Sequence, residues 1–168
     1  MKKLLQLSIA ILFGALFFVG NCMASTCDYW YTKVGVDDVE FVGEAPDLAH
    51  DEEILSGIEC LLKLEDDTSE GAFWGATSFE VSQILPKAGV NVCALYYISY
   101  LFEENWKHAL GVVLIDRAGN KNEPSSVSKA FASYRKWFDR VKEIGLKKAR
   151  ERSLDPLENS GISWYGSG

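Results

Sequence analysis

The sequence predicts a mainly α-helical chain: one compact helical domain, with one or two short strands at most, behind a cleaved signal peptide. Three observations predict this. Apolar residues recur at helical spacing in two long stretches, residues 51–65 and 126–144. Residues 90–102 are apolar nearly all round, as in an element buried on most sides. The first 24 residues follow the basic, apolar, small-residue order of a secretory signal. With 168 residues, 48% hydrophobic and 24% charged, the chain is an ordinary globular one, and residues 25–168 make a single domain.

Taken in order, Lys2 and Lys3 are the basic segment, and residues 4–19 are apolar apart from Gln6 and Ser8. Small side chains at Cys22 and Ala24 place cleavage after Ala24 and the mature protein in the periplasm or otherwise outside the cytoplasm. As an uncleaved anchor the apolar stretch is close to the lower limit for crossing a bilayer. As a lipoprotein signal it has Asn21 where a small residue is wanted before Cys22. No stable membrane span is expected after cleavage.

Residues 25–48 read as irregular. Val34, Val36, Val39, Phe41 and Val42 offer short extended pieces that Gly35, Gly43 and Pro46 interrupt. Ile54, Leu55, Ile58, Leu61 and Leu62 give the 51–65 helix its apolar face, and Asp51, Glu52 and Glu53 suit its first turn. Residues 66–71 form a polar loop, and residues 78–85 a short helix stopped by Pro86. Residues 108–115 fit a strand or a helix, and 116–120 a turn. In the 126–144 helix, Phe131, Tyr134, Trp137, Phe138 and Val141 line one face, with Arg135, Lys136, Arg140 and Lys142 on the other. Pro124 and Ser125 start it, and Gly145 caps or kinks it before a short basic helix at 146–152. The tail from Ile162 to Tyr165 is expected to dock through Trp164.

Removal of the signal leaves Cys27, Cys60 and Cys93, which in an oxidising compartment implies one disulfide and one remaining thiol. Cys60–Cys93 is the expected pair, because both lie in apolar helices that should pack together. Charge is lopsided. Residues 25–105 hold 17 acids against 3 bases, whereas residues 106–168 hold 7 acids against 12 bases. The acidic half fits a basic partner or a solvated surface and argues against nucleic acid.

No residue pattern declares a chemistry. The sharpest enzymatic candidate pairs Cys93, near a helix start, with His108 downstream, as in a cysteine-dependent cell-wall hydrolase. Nine helical residues from Cys93 to Phe102 span about 14 Å, which carries His108 away from the thiol. Metal binding has little to draw on: His50 and His108 are the only histidines, and an EF-hand register starting at Asp66 puts Thr77 where the bidentate glutamate belongs. No metal and no cofactor is expected. Trp30, Tyr31, Trp74, Trp106, Trp164 and Tyr165 fall mostly outside the regular helices and are candidates for a contact surface. The leading expectation is an exported protein that binds another protein, an immunity-type protein that covers a toxin being one concrete form. The alternatives are the hydrolase and a structural or lipid-contacting envelope factor.

Overall fold

A computed structural model describes residues 26–34, 50–71, 87–103 and 112–166. The predicted signal peptide, the 78–85 helix, His108 and the aromatics Trp74 and Trp106 lie outside them. Helices dominate the described residues, in the order α1 Thr26–Thr32, α2 Asp51–Leu61, α3 Val90–Phe102, β1 Leu114–Asp116, α4 Pro124–Ile144, α5 Leu146–Glu151 and β2 Ile162–Trp164.

The most apolar segment becomes the centre. α3 spans the residues predicted for it, and twelve of its side chains, Val90 to Ser99 with Leu101 and Phe102, are buried. Being apolar on nearly every side, it can be surrounded with few polar groups in the core, and two of these, Asn91 and Ser99, are hydrogen-bonded. Both of its ends are capped by other parts of the chain. At the start, the Val90 and Asn91 amides donate to the carbonyls of Ser69 (2.8 Å) and Asp67 (2.9 Å), and the Val92 amide to Asn91 Oδ1 (2.8 Å). At the end, Arg150 donates from Nε to the Phe102 carbonyl (2.7 Å) and from its guanidinium to the Leu101 carbonyl (2.9 Å). These bonds satisfy backbone groups that a helix leaves open at its termini.

α2 ends at Leu61 rather than at residue 65. The amides of Lys63 and Leu64 donate three residues back, to Cys60 and Leu61, which tightens the chain into turns. α4 begins two residues earlier than predicted, with Pro124 in its first turn. Its inward stripe of Val127, Ala130, Phe131, Tyr134, Trp137, Phe138 and Val141 is buried. Gly145, at φ +87°, sits in a region that side-chain-bearing residues avoid, and there the chain turns from α4 into α5.

The 108–115 ambiguity resolves into β1 at its end. β1 pairs antiparallel with β2 in the register Leu114 with Trp164, Ile115 with Ser163 and Asp116 with Ile162. The tail therefore docks, with Ile162 and Trp164 turned inward. Trp164 Nε1 donates to Tyr134 Oη (3.1 Å), and Ser99 Oγ lies 2.5 Å from the same oxygen. This chain of polar contacts ties β2, α4 and α3 together inside the core, where leaving such groups unmatched is costly.

Residues 26–32 were expected to be irregular, and the structure corrects this. α1 is a helix of seven residues, too short to persist alone in water. Two contacts with α2 hold it. Trp30 is buried against Gly57, so closely that a Cβ at position 57 would stand 2.6 Å from its ring. Cys27 is disulfide-bonded to Cys60, with the Cα atoms 5.2 Å apart. The two contacts set α1 antiparallel to α2.

Candidate functional site

The expected Cys60–Cys93 bridge is not formed; Cys60 pairs with Cys27. The reason is directional. Cys60 is buried between α2 and α1, whereas Cys93, in the first turn of α3, faces the connector that follows α2. A Cβ at Gly71 in that connector would lie 2.6 Å from the Cys93 sulfur. Cys93 keeps its thiol and is fully buried.

That setting bears on the proposed nucleophile. Burial pushes the Cys93 thiol up from its ordinary value near 9.0 to about 12, and a hydrogen bond with its own backbone only partly opposes this. A catalytic cysteine needs the opposite shift and an accessible sulfur. The proposed partner His108 lies outside the described residues. Native protein treated with iodoacetamide near neutral pH is therefore expected to leave Cys93 unmodified, and the same reagent in denaturant to modify it. Mass spectrometry of the alkylated peptides reads the difference. A fast adduct on Cys93 in the folded protein would restore the hydrolase.

The acidic connector that invited a calcium comparison has a structural job. Asp67 Oδ1 accepts from the Ser69 amide (3.1 Å) and hydroxyl, while the main-chain carbonyls of Asp67 and Ser69 cap α3. Among the described residues, no three His, Cys, Asp or Glu side chains are grouped to hold a metal ion. Nor is any helix among them long and apolar enough to cross a membrane.

Of the aromatic contact candidates, Trp30 and Trp164 are core side chains, 3% and 9% exposed. Trp30 packs on α2, and Trp164 meets the Tyr96 ring edge-on at 5.3 Å. Neither has a face left for a partner. An aromatic outside a long helix is here drawn inward by tertiary contacts, as expected for Trp164. Tyr31 is half-buried against the core, and Tyr165 is half-buried with the Lys121 ammonium 5.2 Å from its ring centroid. Tyr29, in the same aromatic run, is the large apolar side chain left in solvent among the described residues, 47% exposed, beside Lys33 on α1.

Asp28 on α1, Asp51, Glu52, Glu53 and Glu59 on α2, and Asp66 in the connector are all exposed. In this acidic half Glu70 pairs with Lys87 and Glu65 with Arg135. The basic half is carried by α4 and α5. On α4, Lys129, Lys136 and Arg140 line two adjoining open cavities, of about 420 and 450 Å³, beside the turn at 155–161.

No known protein family, no curated protein and no solved structure matches this chain.

Proposed function

We propose that this is an exported protein that works by binding a basic protein partner, an immunity-type role against a toxin being the most concrete form. The observation that carries the reading is the exposed acidic set on α1 and α2. Asp28, Asp51, Glu52, Glu53 and Glu59 have no ion-pair partner among the described residues, and Tyr29 stands exposed beside them. Unpaired surface charge steers an oppositely charged partner and speeds its encounter. An exposed tyrosine supplies the kind of anchor that dominates interface energy. Export follows from the signal-like residues 1–24 and agrees with the Cys27–Cys60 disulfide, since such bonds persist in oxidising compartments.

The test is photo-crosslinking in the cell envelope from a reactive residue placed at position 52, followed by affinity measurement with the purified adduct protein. The expected partner is basic. It binds more weakly as salt rises, and it loses about tenfold or more in affinity to the variant D51K/E52K/E53K and to Tyr29→Ala. If the partner is a toxin, wild-type protein blocks its activity at equimolar ratio and the reversed variant does not. Failure to recover an adduct above background, or affinity indifferent to the charge reversal, would overturn the proposal.

A further inference from the structure

We propose a second binding site, on the opposite charge: a groove between α4 and the 155–161 turn that takes an extended acidic peptide segment. Its floor is a stripe of α4. Lys129, Ser133, Lys136 and Arg140 follow one another at intervals of four, three and four residues and so share one side of the helix. From Lys129 to Arg140 the stripe is about 16 Å long. The two cavities along it, about 450 Å³ at the Lys129 end and about 420 Å³ at the Lys136–Arg140 end, both touch Asn159 and Ser160, so they are successive parts of one groove. Arg117, from the turn after β1, adds a fourth cation at the first end.

The cations of α4 divide by direction. Arg135 and Lys142, which do not line the groove, are committed: Arg135 to Glu65 and to the face of Phe131, Lys142 to Asp139 at 3.0 Å and to the face of Phe138. Lys129, Lys136, Arg140 and Arg117, which line it, have no ion pair among the described residues. Acids are present on the walls, and they decide the ligand class. The Asp116 carboxylate accepts the Ala118 and Asn120 amides (2.8 and 2.9 Å), the Asn120 side chain and the Ser126 hydroxyl, and is turned to its own loop. Asp155 accepts the Leu157 amide (2.8 Å), and Glu158 lines the Lys136–Arg140 end. Four cations against three acids leave a modest positive balance. Glu158 and Asp155 would repel a dense polyanion, whereas a peptide with carboxylates spaced along it can match the cations and avoid the acids. Asn159 and Ser133, whose side chains make no hydrogen bond among the described residues, offer the donors and acceptors that a peptide backbone needs.

The groove can be assayed with purified chain and a synthetic repeat peptide of Glu, Ala, Ser and Gly. Trp137 lines the groove, so its indole N–H resonance reports binding there, and calorimetry gives the affinity. The expected result is a saturable Trp137 shift, with affinity reduced about tenfold or more in the variant K129E/K136E/R140E. These side chains are solvent-exposed, and an unchanged thermal melt checks that the variant still folds. The variant K147E/K148E, altered at exposed α5 positions outside the groove, is expected to bind as wild type does. Absence of a Trp137 shift, or equal loss in both variants, would overturn the site. Tighter binding of inorganic polyphosphate through the same three residues would overturn the peptide assignment.

Discussion

Replacing Trp137 with alanine is expected to lower the stability of the folded chain by about 3–5 kcal/mol, the range for emptying a large aromatic site in a packed core. Trp137 lies at the middle of the buried stripe of α4 and is 6% exposed. Its ring meets Phe102 of α3 edge-on at 4.8 Å and stands 6.0 Å from Tyr134, so it joins the central helix to the longest one. Its Nε1 donates to the Leu154 carbonyl at 3.1 Å, which fixes the start of the segment leading to β2. Alanine removes the packing and leaves that carbonyl without its donor. Phenylalanine restores much of the volume without the donor and should recover about half of the loss or more. Denaturant melts of the three proteins measure this. A change under about 1 kcal/mol for alanine would mean that this face of α4 is not the core.

α3 and α4 were legible in the sequence because their signals are local. Thirteen consecutive residues of α3 are almost all apolar, and α4 repeats its large side chains every third or fourth position. Burial then follows from composition in α3 and from periodicity in α4. α1 was not legible, since Cys-Asp-Tyr-Trp-Tyr has neither the length nor the propensity to declare a helix, and its stability comes from residues more than twenty positions away. The capping of α3 by Arg150 belongs to the same class. A basic residue in a short basic helix gives no hint that it reaches back 48 positions to a buried carbonyl.

The charged surface was half legible. The excess of acid in one half and of base in the other is plain in the sequence, and among the described residues the acids of α1 and α2 and the bases of α4 are exposed. The sequence also placed Arg135, Lys136, Arg140 and Lys142 together on the outer face of α4, and all four are indeed exposed. What it could not separate is their company. Arg135 meets Glu65 across 70 positions, and the turn at 155–161 comes to lie beside Lys136 and Arg140 because Trp137 holds its start at Leu154 and Trp164 pins β2 beyond it. A groove made by a loop laid along a helix is a tertiary fact, with no period to read.

Breaking the Cys27–Cys60 bond, by reduction or by Cys27→Ser, is expected to cost about 3–4 kcal/mol of stability and to release α1 from α2. The two residues are 33 positions apart, and a cross-link of that span removes a corresponding amount of freedom from the unfolded chain. Without the bond, α1 is held by packing alone: it is two turns long, and Trp30, 3% exposed, lies against Gly57 and 6.4 Å from the Tyr97 ring, with Tyr31 half-buried beside it. The Cys93 thiol offers no substitute bridge, because it faces Gly71 rather than Cys60. Peptide mapping without reductant is expected to recover the 27–60 pair, and Cys93→Ser to leave that pair intact. Reduced protein or Cys27→Ser should show a lower unfolding midpoint together with red-shifted tryptophan emission as Trp30 meets water. The shift should precede global unfolding, since α3, α4 and the β1–β2 pair do not depend on the bond. If Cys60 were instead recovered bonded to Cys93, or if reduction changed stability by less than about 1 kcal/mol, the tether would not be what seats α1, and the acidic surface carried by α1 and α2 would have to be held together by other means.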